Sequence, residues 1–153
     1  MTLHFRLLLL ALAIAAAGCS QPPATPQQAP KKEVAMPKLL TWPDLLKRPR
    51  PHPTHTIQYG PGKTDVGDLW LPSGAGPHRT VLMIHGGCWQ KSVADRTLMD
   101  WSAEALAKQG FAVWNIEYRG VDEEGGGYPG TFQDVARAAD QLRELRVQYN
   151  LDL

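Results

Sequence analysis

The sequence predicts an α/β domain: a mostly parallel sheet with an antiparallel amino-terminal edge and flanking helices. Three observations carry this expectation. Residues 81–84, Val-Leu-Met-Ile, form an unbroken apolar run closed by Gly86 and Gly87, the pattern of a strand buried on both faces rather than one that alternates. Residues 111–118 form a second run too apolar for one-sided exposure. After each run comes a segment of helical spacing, so strands and helices alternate as they do in crossover units of a parallel sheet.

The first 38 residues stand apart from that pattern. His4 and Arg6 precede an apolar run over 7–17 that ends in Gly18-Cys19-Ser20. The run is shorter than the ~20 residues a membrane-spanning helix needs, and it reads as the core of a signal peptide over 1–18. Ala16-Ala17-Gly18-Cys19 resembles the lipobox of bacterial lipoproteins, with Ala16 where Leu is favoured. The resemblance implies acylation of Cys19 and a mature chain anchored by lipid to a membrane of the bacterial cell envelope, on its periplasmic or extracellular side. Residues 19–38 are rich in Pro, Gln, Ala and Lys and bury too little to offset their ordering entropy, which predicts a disordered tether.

A lead-in follows over 39–55. Residues 42–46, Trp-Pro-Asp-Leu-Leu, suit a short amphipathic turn, and Pro49, Pro51 and Pro53 force an extended path. The globular domain is expected over 56–153. It opens with a strand at 57–59, a turn at Gly60-Pro61-Gly62 and a second strand at 66–71, an antiparallel pair. A loop over 73–77 leads to the apolar strand. Residues 93–109 predict a helix with Leu98, Trp101, Ala105 and Leu106 on its inner face and Gly110 as its stop. The 111–118 strand and a glycine-rich loop over 119–130 come next. Thr131, with Asp134 three residues on, predicts a capping box at the start of the last helix. Phe132, Val135, Ala139, Leu142 and Leu145 form its buried face.

Charge and cysteine usage narrow the function. Removing residues 1–18 takes away Arg6 and no acid, so 15 acidic side chains face an equal number of basic ones. That balance offers no electrostatic case for nucleic acid or an anionic membrane. With Cys19 acylated, Cys88 is the one remaining thiol and no intrachain disulfide forms. No ligand spacing points to a metal or cofactor.

The chemistry-bearing segment is His85-Gly86-Gly87-Cys88-Trp89. Two glycines at the carboxyl end of a buried strand let the backbone take φ > 0 and present bare N–H groups, the donors that oxyanion stabilisation requires. This segment is similar to the His-Gly-Gly-x-Trp motif of α/β-hydrolases in the esterase and kynurenine formamidase branch. A second block resembles those enzymes at the same distance downstream. It comprises Asn115-Ile116-Glu117-Tyr118-Arg119, the stretch from Gly125 to Thr131, and Asp134-Val135. The resemblance covers about residue 57 onward and implies a partial α/β-hydrolase fold. It also implies that Gly86, Gly87 and the Cys88 amide form the oxyanion hole with one N–H beside the nucleophile. In that arrangement Trp89 walls the pocket and His85 orients the loop. Glu117 and Arg119 are expected to hold the rim by charge-assisted hydrogen bonds.

Enzymes of this fold carry a nucleophilic Ser in Gly-x-Ser-x-Gly, then an acid, then a His. Ser20, Ser73, Ser92 and Ser102 all lie outside such a motif. His52, His55 and His78 precede the apolar strand and are expected as solvated loop residues. Cys88 is set aside as a substitute nucleophile because it would occupy the oxyanion loop itself. The resemblance therefore implies an amino-terminal portion of a hydrolase, with the carboxyl-terminal half and the triad beyond residue 153. In the full enzyme the substrate would be a small-molecule ester or amide. The alternatives are a non-catalytic lipid-anchored binding protein and a pseudogene product.

Overall fold

The computed structural model describes residues 38–153. The signal-peptide reading over 1–18, the acylation reading at Cys19 and all of the tether reading except Lys38 lie outside these residues.

Local chemistry first sets a short helix, α1 (Trp42–Leu46), with Pro43 in its first turn, where the missing N–H costs nothing. Asp44 accepts from both the N–H and the hydroxyl of Thr41 at 3.0 and 2.6 Å. The extended lead-in then delivers β1 (His55–Gln58), which pairs antiparallel with β2 (Val66–Trp70). β3 (His78–Ile84), α2 (Asp100–Lys108), β4 (Ala112–Ile116), α3 (Gly130–Tyr149) and β5 (Leu151–Asp152) complete the order. The sheet runs β1-β2-β4-β3-β5. β2 pairs antiparallel with β4, whereas β3 lies parallel to both β4 and β5. The α/β class and the antiparallel amino-terminal edge are as the sequence predicts, but the sheet is mixed rather than mostly parallel, because β2 pairs antiparallel with the central β4 as well as with β1.

β4 is the centre. Ala112, Val113, Trp114, Asn115 and Ile116 are all fully buried, and the two-residue period of the strand sends them to opposite faces. On one face Trp114 and Ile116 join Leu69, then Ala138 and Leu145 of α3. On the other, Val113 joins Trp70, Met83 and Ala103 of α2. Burying the Trp114 indole contributes about 4 kcal/mol or more. Its Nε1 donates to the Ala138 carbonyl at 2.8 Å, so the polar end of the ring is satisfied as well.

Several expected boundaries shift. β3 begins at His78 rather than Val81, because its first two residues pair with Leu151 and Asp152 of β5. Beyond Arg79, no strand among the described residues covers that side of β3, and Ile84 is 46% exposed. His78 is therefore a partly buried strand residue rather than a solvated loop residue. His55 also sits in a strand, exposed but ring-to-ring with Tyr149 at 5.0 Å.

The helix expected over 93–109 starts later. Residues 96–99 form one 3-10 turn before α2, opened by Asp95, whose carboxylate accepts from Thr97 N at 2.9 Å. Upstream, the backbone is committed elsewhere: the N–H groups of Lys91 and Ser92 donate to Asp122. The packed face of α2 is Ala103, Leu106 and Ala107, with Met99 before it, while Ala105 is exposed.

The last helix begins at Gly130, after Pro129, and the expected Thr131–Asp134 capping box does not form. Thr131 Oγ1 instead donates to the Arg119 carbonyl at 2.6 Å and accepts from Gly127 N. Asp134 is drawn away by Arg119 and Arg137. Phe132 is half exposed, and Ala138 rather than the less buried Ala139 reaches the core cluster. Asn150 ends the helix in the left-handed region at φ 51°, a conformation Asn tolerates, and its carbonyl accepts from His78 N. That turn sets Leu151 beside β3.

Candidate functional site

The site grows from the carboxyl ends of the two parallel strands β3 and β4. The chain leaves β3 at His85 and turns through Gly86-Gly87-Cys88-Trp89. Gly87 has φ 121°, and a Cβ there would stand 2.8 Å from that of Ala94, so both backbone and space require glycine. Cys88 and Trp89 follow at φ 54° and 58°. Left-handed geometry costs a non-glycine residue roughly 1–2 kcal/mol, and hydrogen bonds hold it here. Gln90 N donates to Gly87 O at 2.9 Å and Val121 N donates to Trp89 O at 2.7 Å.

The N–H groups of Gly86, Gly87 and Cys88 find no protein acceptor among the described residues. Gly86 faces open space. Bare amides on an exposed turn, held by bonds elsewhere in the same turn, are fixed hydrogen-bond donors without an internal partner.

His85 is buried and holds the base of this turn. Its Nε2 lies 2.8 Å from Glu117 Oε1 and its Nδ1 lies 2.8 Å from the Gly86 carbonyl. The Tyr118 ring stacks on it at 4.2 Å, and the Tyr118 hydroxyl donates to the His85 carbonyl at 2.8 Å. With both ring nitrogens engaged inside the protein, neither is available to take a proton from a substrate.

Glu117 is the hub. Its Oε2 accepts from Lys91 Nζ at 2.6 Å and from Arg96 N at 3.2 Å, and its Oε1 accepts from Tyr118 N. Burial pushes this carboxyl up, but the bonds from His85, Lys91 and Arg96 outweigh it and bring the pKa down to about 2. Arg96 in turn donates through Nε to Asp68 on β2 at 2.7 Å. The Arg96 carbonyl accepts from Asn115 of β4. One carboxylate thus ties the residues before and after the Gly-Gly turn to the central strand.

Arg119 takes a different partner. It does not pair with Glu117 but reaches Asp134 of α3 through Nε at 2.7 Å and Nη2 at 2.8 Å, and so anchors the glycine-rich loop. Burial raises the Asp134 pKa, but the Arg119 bonds more than offset that and leave it lowered. Asp122 caps Lys91 N and Ser92 N from the same loop, which lowers its pKa to about 2.

Of the residues singled out in the sequence, His85, Gly86, Gly87, Cys88 and Trp89 form one continuous turn. Trp89 is half exposed and meets Phe132 edge-on at 5.7 Å, with Tyr128 beyond at 5.9 Å. Cys88 is a free, exposed thiol. Ser92 and Ser102 are exposed as well. Lys91, Arg96, Asp68 and Asp122 were not anticipated. Their signal in the sequence is faint: basic residues shortly after a glycine turn, and acids that only the sheet brings near them. Among the described residues no group of His, Cys, Asp or Glu is arranged to hold a metal ion, and no helix is long and apolar enough to cross a membrane.

Residues 68–153 match the BD-FAE family. Two solved structures share the fold. One is the Francisella virulence factor BioJ, with a TM-score of 0.56 and 24% identity, covering 71% of this chain and 34% of that one. The other is a Silicibacter sp. TM1040 protein whose thioesterase description is itself provisional, with a TM-score of 0.50 and 24% identity, covering 58% and 32%. The chain therefore spans about a third of the length of either structure. No curated protein matches it.

Proposed function

Because the chain belongs to the BD-FAE family, an α/β-hydrolase-like family, we propose that it carries the oxyanion-hole portion of a serine-hydrolase site that acts on a carboxylic ester or an aryl amide. The observation that carries this reading is the Gly86-Gly87-Cys88 turn, whose three N–H groups lack a protein acceptor among the described residues. In the reaction a serine oxygen attacks the substrate carbonyl while a histidine takes the serine proton. The carbonyl oxygen becomes an anion and accepts from the Gly86, Gly87 and Cys88 amides. Collapse then expels the alcohol or amine, which takes the proton back from the histidine. Water repeats the sequence on the acyl-enzyme and releases the acid.

The serine, its acid and its histidine belong in this reading to sequence outside residues 1–153, the serine within a Gly-x-Ser-x-Gly turn. The mature protein is held to a membrane of the bacterial envelope by acyl chains on Cys19. A tagged fatty acid is expected on the wild-type chain and not on Cys19→Ser.

Residues 1–153 alone are expected to show no turnover of p-nitrophenyl esters and no labelling by a fluorophosphonate probe, since an oxyanion hole without a nucleophile forms no acyl-enzyme. Probe adducts on Ser92 or Ser102 would overturn this reading. In the protein encoded by the complete reading frame, Gly87→Ala is expected to lower kcat by about 10²-fold with little change in KM. An unchanged kcat would show that the turn does not meet the oxyanion.

A further inference from the structure

Two carboxylates reach the Gly86-Gly87-Cys88 turn and its exit, and they hold different parts. Glu117 grips side chains there, His85 through Nε2 at 2.8 Å and Lys91 through Nζ at 2.6 Å. Asp122, on the glycine-rich loop, grips main chain. Its Oδ1 accepts from Lys91 N at 2.8 Å and its Oδ2 accepts from Ser92 N at 3.0 Å. Val121 N adds a bond to Trp89 O at 2.7 Å. The segment that leaves the turn is therefore fixed along its backbone by two consecutive loop residues.

The loop is a fixed mount for that carboxylate. Arg119 Nε ties its start to Asp134 at 2.7 Å, and Thr131 Oγ1 donates to the Arg119 carbonyl at 2.6 Å. Within the loop, Glu123 N donates to Gly120 O at 3.1 Å and Gly120 N donates to Glu123 Oε2 at 2.8 Å. The loop and the turn also lie in close contact, since a Cβ at Gly120 would stand 2.6 Å from Lys91 N and 3.0 Å from Trp89 O. The turn needs such restraint. Cys88 and Trp89 sit at φ 54° and 58°, a conformation that a non-glycine residue keeps only where its surroundings impose it. If the turn relaxed, the Gly86, Gly87 and Cys88 amides would move with it, and a displacement of about 1 Å at a reacting group can cost about a hundredfold in rate.

We propose that Asp122 is a positioning residue: by accepting from the Lys91 and Ser92 backbone N–H groups it holds the Gly86, Gly87 and Cys88 amides where an oxyanion meets them. The inference deepens the acyl-transfer reading and rests on it. Asp122 touches neither substrate nor the reacting atoms and acts only through the turn. In the protein encoded by the complete reading frame, Asp122→Ala is expected to lower kcat for p-nitrophenyl acetate by about thirtyfold and to leave KM within about twofold. The split follows because the amides bind the transition state more strongly than the ground-state ester. Asp122→Asn keeps one acceptor oxygen and is expected to fall between Asp122→Ala and wild type. Glu124→Ala, at an exposed position of the same loop, is expected to leave both constants unchanged.

Hydrogen exchange reads the brace without relying on activity. Gln90 N, which donates to Gly87 O inside the turn, is expected to exchange about tenfold faster or more in Asp122→Ala, while the amides of Val113 and Trp114 in β4 keep their wild-type rates. Those β4 rates also check that the fold is kept. A kcat within about twofold of wild type in Asp122→Ala would overturn the inference. So would a KM that rises as far as kcat falls, or a loss of kcat with the Gln90 amide as protected as before. Gly87→Ala separates this failure from that of the reading beneath it. If Gly87→Ala is impaired and Asp122→Ala is not, only the role of Asp122 falls. If Gly87→Ala keeps its full kcat, the acyl-transfer reading falls and the positioning role falls with it.

Discussion

His85 Nε2 and Glu117 Oε1 stand 2.8 Å apart, with each side chain only 2% exposed, although 32 residues separate them in the chain. The contact joins the end of β3 to the end of β4 and fixes the turn that carries Gly86, Gly87 and Cys88. Its consequence is measurable. Glu117→Gln keeps the shape but leaves Lys91 and His85 facing a neutral amide. Breaking one partner of a buried charged pair typically costs ~3–5 kcal/mol, and since Lys91 is partly solvated, about 3 kcal/mol is expected. The readout is a fall in the urea midpoint at unchanged m-value. The pH dependence has a definite sign. The Glu117 pKa falls from 4.5 to about 2 on folding, so its contribution is complete above 4.5 and is lost as pH drops towards 2. The deficit of the Gln variant should shrink over that window.

Asp100 behaves in the opposite sense. Burial raises its carboxyl from 3.8 to about 6, against the pull of Arg50, and its Oδ1 has no hydrogen-bond partner. A carboxyl with a raised folded pKa is a penalty above that pKa, and the penalty fades as pH falls towards the unfolded value. Between pH 6.5 and 4.5 the stability of the wild type relative to Asp100→Asn should therefore improve by about 2 kcal/mol. Thermal melts of the two proteins across that range test it. A constant difference would mean that Asp100 titrates normally.

Gly67 lies under the Trp114 indole. A Cβ at that position would sit 2.5 Å from Cη2 of the ring, and the ring is held in place by its bond to the Ala138 carbonyl. Gly67→Ala should cost about 3 kcal/mol through overpacking. Adding Trp114→Phe should recover part of the loss attributable to Gly67→Ala, a coupling that a double-mutant cycle measures. Purely additive effects would show that the ring is not what excludes a side chain at 67.

Much of the architecture was legible because it rests on short-range patterns. The run 81–84 announces a buried strand by its lack of alternation, and β1 and β2 announce a hairpin by the Gly60-Pro61-Gly62 turn between them. The start of α2 was not legible. The spacing over 93–109 suits a helix throughout, yet Asp122 captures the N–H groups of Lys91 and Ser92, and Glu117 captures that of Arg96. Those acids lie more than 20 residues away, and no local propensity encodes them. Thr131 and Asp134 misled for the same reason. Their spacing is that of a capping box, but Arg119 and Arg137 compete for the Asp134 carboxylate and win with charge-assisted bonds.

By itself the sequence determined that this chain is an α/β fold with an antiparallel amino-terminal hairpin and that a glycine turn follows its apolar strand, since strand period, glycine sterics and turn residues act within a few positions of one another. Only the tertiary structure decided what holds that turn: Glu117 as the common partner of His85, Lys91 and Arg96, Arg119 committed to Asp134, and Trp114 closing over Gly67. These are contacts between side chains brought together by the pairing of β2, β4 and β3. Their strength depends on burial and on competing partners, which exist only once the sheet has formed.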